Sequence, residues 1–382
     1  MKWTNKGFEF QKIENVFRKK DILIYGAGFV GERLYNSISY LHDNVHGWID
    51  REEKCLYDLP TYSFVNLTQK LLEENIIIIA VDEPLASLFS RQLISLGLVE
   101  NKDFYRYWMW QERYKYIYNL YRNGKVTASF CGLQISNVCN LNCKGCLSFT
   151  HFINTPHFYG FDYVKNNAQS LFKHVDYIDT LELCGGEPFL IPNVEEIYTY
   201  VHGNYKDRVG LISTVTNATV VPTDELCEVF RRNNIKVFVD DYRENVDHSR
   251  LHFDEVIDKM KLHDVCYEIR KVENWIDLGL HTTEENNELY GIMKHSECNN
   301  NRLSVINEKL FFCDYECYAD MAGVYVADRD DYIDLKNCSM TKSEIEEFIL
   351  GYSNKGYCSM CARCYGDGKV NQHFIPVAEQ YK

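Results

Sequence analysis

Three cysteines fall within eight positions in "VCNLNCKGC", residues 138–146: Cys139, Cys143 and Cys146, in the pattern C-x3-C-x2-C. Thiolates this close are metal ligands. A structural zinc ion wants a fourth thiolate or imidazole and is usually held by two separated pairs. Three thiolates on one tight loop instead suit a cubane iron-sulfur cluster with one iron left open. A second motif, "CGGEPFL" at 184–190, offers Gly185, Gly186, Glu187 and Pro188. Glycines expose strand-end backbone there, and a carboxylate with nearby carbonyls can accept from an ammonium. Further on, Cys298 and Cys313 flank the hairpin-like "NNNRLSVINEKLFF", Cys317 follows, and Cys358, Cys361 and Cys364 stand in "YCSMCARCYGDG". By spacing alone these fit a zinc knuckle and a second four-iron cluster equally well.

The elements that must position these groups alternate. Strand-like runs at 128–136, 178–186, 209–218, 235–242 and 265–272 are separated by helical segments at 161–174, 194–203, 223–233 and 253–264. Repeated βα units with short loops predict a parallel sheet, open or closed into a barrel. Ligands of such sheets gather at the carboxyl ends of strands, where the cysteine loop and "CGGEPFL" both lie. Asn217 in "TVTNAT" and Asp241 in "VDDY" occupy neighbouring strand ends.

Before this stretch, "DILIYGAGFVGERLYNSI" from Asp21 reads as strand, glycine turn and helix. Gly26 permits the tight turn, Gly28 lets a ligand approach the backbone, and Gly31 lets helix and strand pack closely. "VHGWID" ends in Asp50, where a ribose-binding acid would sit, and "NIIIIAVD" is a third strand buried on both faces. A nucleotide at the helix N-terminus and a purely structural turn are both open readings. Residues 104–122, crowded with aromatics and ending at Gly124, read as a helix bridging two domains. The expected organisation is a Rossmann-like domain over 1–103, a linker over 104–125, a barrel over 126–290 and a cysteine-rich domain over 291–382.

The composition narrows the function. Of 382 residues, 41 are basic and 55 acidic, a net charge of -14 that opposes binding to nucleic acid. The start, "MKWTNKGFEFQKIENVF", shows no secretory signal, and the aliphatic run "IIIIAV" falls far short of a bilayer span, so a cytoplasmic location is expected. In that compartment the 15 cysteines read as thiols and metal ligands, not disulfides.

"CNLNCKGC" followed one βα unit later by "CGGEPFL" resembles the radical S-adenosylmethionine (SAM) superfamily. The resemblance implies a partial (β/α)6 TIM-like barrel. It also implies a [4Fe-4S] cluster on Cys139, Cys143 and Cys146 whose open iron is chelated by SAM, with Gly185 to Pro188 at the methionine amino group and a flavodoxin- or ferredoxin-type electron donor. By position at neighbouring strand ends, Asn217 and Asp241 are open to two readings, contact with the ribose or capping of their own loops. Many members carry an aromatic residue before the third cysteine; Gly145 stands there, and Phe149 would supply the adenine face instead. The C-terminal cysteines resemble the SPASM and twitch groups, in which Cys298, Cys313, Cys361 and Cys364 would hold one auxiliary [4Fe-4S] cluster, with Cys358 as a competing ligand. The implied reaction is reductive cleavage of SAM to a 5'-deoxyadenosyl radical that abstracts a substrate hydrogen. The first domain resembles those of bacterial surface-glycan enzymes, which points to oxidation or epimerisation of a carbohydrate, polyol or nucleotide-sugar. Cys317, Cys184 and Cys338 are the candidate hydrogen donors for epimerisation, Cys317 first. Modification of a ribosomally made peptide is the alternative enzyme reading, and a zinc-binding scaffold without catalysis is the alternative outside enzymes.

Overall fold

The computed structural model describes residues 2–52, 55–279, 286–298, 302–367 and 371–381, so the start of the "NNNRLSV" stretch lies outside the described residues. Contacts divide the chain into two units, one of residues 5–127 with 342–346, the other of residues 2–4, 128–341 and 347–381. Among the described residues no helix is long and apolar enough to cross a membrane.

In the first unit, α1 (Gln11–Lys19) leads into β1 (Asp21–Tyr25), α2 (Phe29–Ser37), β2 (Val45–Ile49), β3 (Thr61–Tyr62), α3 (Gln69–Glu74), β4 (Asn75–Ile79), α4 (Leu85–Ser95) and β5 (Phe104–Arg106). The strands form a parallel sheet in the order β3-β2-β1-β4-β5. β4 is buried along its whole length, Asn75 and the four isoleucines after it alike, as a central strand of a parallel sheet is. Gly26 has φ +116°, and a Cβ on Gly31 would lie 1.9 Å from the Gly26 carbonyl oxygen, so both glycines are needed by the turn itself.

The aromatic segment differs from its expected form. Phe104–Arg106 is the edge strand, paired with Ile77–Ile79, and the helix begins only at Tyr107. Three residues beside an open sheet edge gain a ladder of hydrogen bonds that a helix start would leave unmade. The chain then runs through α5 (Tyr107–Met109), a π-helical turn at Trp110–Tyr114 and α6 (Lys115–Asn123), ending at Gly124 with φ +65°. The rings of Tyr105, Trp110, Tyr114 and Tyr118 gather around Phe17 of α1, with centroids 5.4 to 6.5 Å from it. These aromatics serve the core of their own unit.

The second unit alternates as its sequence predicts: β6 (Thr127–Gln134), α7 (Phe161–His174), β7 (Tyr177–Cys184), α8 (Val194–Tyr205), β8 (Val209–Thr216), α9 (Asp224–Arg232), β9 (Lys236–Asp240), α10 (Phe253–Leu262) and β10 (Tyr267–Arg270). Next come β11 (Asn274–Ile276), α11 (Glu288–Glu297), β12 (Leu303–Ile306), β13 (Lys309–Phe311), α12 (Asp314–Met321) and β14 (Tyr332–Asp334); α13 (Lys342–Ile349), whose first five residues count with the first unit, precedes β15 (Phe374–Pro376). One sheet runs in the order β10-β9-β8-β7-β6-β12-β13-β14. It is an open, partial barrel, because β10 and β14 are separate ends. The hairpin of β12 and β13 joins it through parallel pairing of β12 with β6, so the C-terminal cysteines are anchored to the barrel sheet.

Candidate functional site

The cysteine loop leaves the end of β6 and is pinned from two sides. Its sulfurs receive N–H donors: the Leu141 amide to Cys139 Sγ at 3.4 Å, Asn217 Nδ2 to Cys139 Sγ at 3.6 Å, and Gln380 Nε2 to Cys143 Sγ at 2.9 Å. Burial pushes the Cys139 and Cys143 thiols up to about 12, and the neighbouring sulfurs push the same way. Three half-dry thiols under donors aimed at sulfur are arranged for an anionic, metal-bound state, since only a cation would offset that crowding. The residues therefore fit an iron-sulfur cluster. Cys139 and Cys146 pack with Leu141, Val246, Trp275, Val377 and Ala378.

Gly145 has φ +65°, and a Cβ there would lie 1.9 Å from Ile375 Cδ1 and 4.0 Å from Trp275. The place an aromatic residue would take before Cys146 is thus filled from β11 and β15. Phe149 is turned away, packed on Phe152 and Tyr315, and does not line the cavity beside the loop. Trp275 does line it.

Gly185 and Gly186 form the cavity wall next to the cysteines. Both have positive φ, and added Cβ atoms would fall 2.2 Å from the Ser136 carbonyl oxygen and 1.9 Å from that of Val138 respectively. Glu187 is wholly buried and faces inward to the fold. Its Oε2 accepts from the Asn217 amide at 2.8 Å, and its Oε1 accepts from Thr216 Oγ1 at 2.9 Å and the Phe189 amide at 3.1 Å. Burial pushes this carboxyl up to about 7 against those bonds. Glu187 and Pro188 do not line the cavity; Glu187 fastens the glycine loop to the end of β8.

The cavity measures about 530 Å³. Beyond the cysteines, Asn217, Tyr242 and a set of paired charges line it. Arg302 donates to Asp314 at 2.9 Å and meets Glu182 at 3.3 Å, while its guanidinium lies 3.9 Å from the Phe130 ring centroid. Arg270 pairs with Asp240 at 2.8 Å, and the Tyr242 hydroxyl donates to Asp240 at 2.7 Å. Burial raises the Glu182 and Asp240 carboxyls, opposed by those guanidiniums. Asp241, which follows the end of β9, does not line the cavity; it pairs with Arg243 at 2.8 Å.

Cys317 is fully enclosed and is not among the residues that line the cavity. Cys184 is the thiol on the wall, 3.4 Å from the Tyr318 hydroxyl, beside room left by Gly132. The sequence reading missed Glu182, Asp240, Arg270, Arg302 and Asp314. The alternation in "LELC" carried the signal for Glu182, two residues before Cys184 on the same face.

Of the C-terminal cysteines, Cys313, Cys358, Cys361 and Cys364 share one packed cluster. The Cys358 thiol lies within hydrogen-bonding reach of both Cys313 and Cys361 and donates to Glu316 Oε2 at 2.8 Å. Cys298 enters through the field of its thiol at Cys364. The Cys361 thiol is held well below its usual range by Cys358 and by His295, 3.8 Å away. Among the described residues Glu316 Oε1 is buried without a hydrogen-bond partner, and Glu316, Asp331 and Cys358 present ligand atoms within 4.8 Å of one another. An orphaned carboxylate oxygen beside clustered thiols fits a metal group. In the first unit, Gly26 and Gly28 stand in the turn before α2, Gly31 lies within α2, and Asp50 Oδ2 accepts from the Ala27 amide at 2.8 Å.

A family model described as a 4Fe-4S single cluster domain matches residues 129–253. No curated protein matches the chain. Among solved structures it is similar to BtrN in complex with AdoMet and 2-DOIA, at 15% identity and TM-score 0.40 over 66% of this chain and 97% of that one. It is similar to native anSMEcpe with bound AdoMet and Kp18Cys peptide, at 15% identity and TM-score 0.40 over 60% and 82%. For native anSMEcpe with bound AdoMet and Cp18Cys peptide the values are 19% and 0.31 over 39% and 43%, so the chain spans less than half the length of that relative. The matched residues 129–253 contain the three-cysteine loop and the glycine motif.

Proposed function

We propose that the chain is a radical SAM enzyme acting on a hydroxyl-rich small molecule of the carbohydrate or polyol class, by oxidation or epimerisation. The observation that carries this reading is one cavity lined both by Cys139, Cys143 and Cys146 and by the paired groups Glu182, Arg302, Asp314, Asp240 and Arg270. When bound, a four-iron cluster and SAM supply a 5'-deoxyadenosyl radical able to take a hydrogen from carbon. Cys139, Cys143 and Cys146 would hold the cluster, Gly185 and Gly186 would present backbone to the amino end of SAM, and Asn217 stands beside both. The carboxylate and guanidinium pairs offer acceptors and donors fixed in the cavity wall, which suits several hydroxyl groups held in one orientation. Both guanidiniums already face carboxylates, so a diphosphate finds its positive charges committed; this favours a free sugar or polyol over a nucleotide-sugar. Cys313, Cys358, Cys361 and Cys364, with Cys298 near, would hold an auxiliary cluster, and a ferredoxin- or flavodoxin-type protein would supply electrons.

The test is anaerobic incubation of the reduced, iron-loaded enzyme with SAM and deuterated sugars, polyols and nucleotide-sugars, reading deuterium in 5'-deoxyadenosine. Transfer from a sugar or polyol is expected. Transfer only from a peptide would overturn the substrate class.

A further inference from the structure

The segment from Phe374 to Tyr381 is laid over the cysteine loop. β15 pairs with β11 beside Gly145, and Val377 and Ala378 pack against the loop. The Lys144 amide donates to the Glu379 carbonyl at 2.6 Å, and the Tyr381 amide donates to the Asn142 carbonyl at 2.8 Å. Lys144 Nζ also meets Glu379 Oε1 at 2.6 Å. Gln380 lies between these ties. Its Oε1 accepts from the Asn142 amide at 2.8 Å, and its Nε2 donates to the Ala378 carbonyl at 2.7 Å and to Cys143 Sγ at 2.9 Å. This network fixes which end of the amide is which. Flipping it would set the Gln380 oxygen against the Ala378 carbonyl and its NH2 against the Asn142 amide. A donor is therefore held on the sulfur of a cluster cysteine from about 240 residues away in sequence.

We propose that Gln380 is a positioning residue for the three-cysteine centre: its side-chain amide stabilises the charge on Cys143 sulfur and so raises the reduction potential of the cluster bound there. This rests on the reading that Cys139, Cys143 and Cys146 hold a four-iron cluster. Reduction adds negative charge to the cluster and its sulfurs, and a fixed N–H dipole pointing at one sulfur favours the reduced form. Removing the donor disfavours it.

The test is a redox titration of the reconstituted full-length chain followed by electron paramagnetic resonance, using the signal that SAM perturbs. At the potential where wild type is half reduced, Gln380→Ala is expected to lower the reduced-to-oxidised ratio by about threefold to tenfold, tenfold being about 59 mV for one electron. Gln380→Glu keeps an acceptor for Asn142 but presents a carboxylate to the sulfur, and is expected to lower the ratio further. Glu379→Gln, which weakens a tie to the same loop without touching sulfur, is expected to leave it within a factor of about 1.5. An unchanged ratio in both Gln380 variants, or an equal fall in Glu379→Gln, would overturn the proposal. A wild-type protein without iron, or with a signal indifferent to SAM, would instead contradict the cluster reading on which it rests.

Discussion

Glu187 and Asn217 are joined by a 2.8 Å hydrogen bond from the Asn217 amide to Glu187 Oε2, and the side chain of Asn217 then donates to Cys139 Sγ at 3.6 Å. A buried carboxylate after the glycine motif thus fixes the end of β8, and β8 in turn supplies a donor to the cysteine loop. Glu187 acts on the site through Asn217.

Glu187→Gln should therefore destabilise the protein by about 1–3 kcal/mol, because its NH2 end confronts an amide N–H or a hydroxyl wherever it points. The pH dependence has a definite sign. The carboxyl titrates near 4.5 when unfolded and at about 7 when folded, so the folded state binds the extra proton between those values. Wild-type stability then falls as pH rises through that window, and its advantage over the glutamine variant shrinks by up to about 3 kcal/mol. Urea unfolding of both proteins between pH 4.5 and 8 reads the difference directly.

Gly186→Ala should cost more than about 2 kcal/mol and reduce iron retention, since its Cβ would stand 1.9 Å from the Val138 carbonyl oxygen at φ +56°. Gly28→Ala is the contrast. Nothing lies within 4 Å of a Cβ at Gly28, so that variant should stay within about 0.5 kcal/mol of wild type. Thermal unfolding and iron content of the two variants, measured side by side, check the pair.

Phe17→Ala should lose about 3–5 kcal/mol, because Tyr105, Trp110, Tyr114 and Tyr118 all close on that ring. Unfolding followed by tryptophan fluorescence measures it, with Trp110 as the reporter in the same cluster.

Much of this was legible in the sequence because it rests on local rules. The period of "IDTLELCGG" and the helical stretch after it placed β7 and α8, and the type and spacing of Cys139, Cys143 and Cys146 carried their chemistry. What stayed hidden depends on register or on contacts between distant segments. Asp240 and Asp241 are indistinguishable until the strand's phase is known. Trp275, Ile375 and Gln380 reach the loop only through the pairing of β11 with β15, which two three-residue strands announce weakly. Arg302 meets Glu182 only because β12 lies beside β6.

Cys358→Ala should remove iron from the C-terminal site, up to about four atoms per chain, because its thiol is buried in the cluster that Cys313, Cys361 and Cys364 pack against. Iron and sulfide analysis after reconstitution, with Cys338→Ala as the control outside that cluster, checks it. Iron unchanged in Cys358→Ala would return the ligand set to Cys298, Cys313, Cys361 and Cys364.

The most direct test of the central claim is the electron paramagnetic resonance spectrum of the reduced, reconstituted protein with and without SAM, for wild type and for the variant in which Cys139, Cys143 and Cys146 are all alanine. The account predicts a four-iron signal in wild type that changes when SAM is added, and no such response in the variant. A wild-type spectrum that SAM leaves unchanged, or a SAM response that survives loss of the three cysteines, would contradict it.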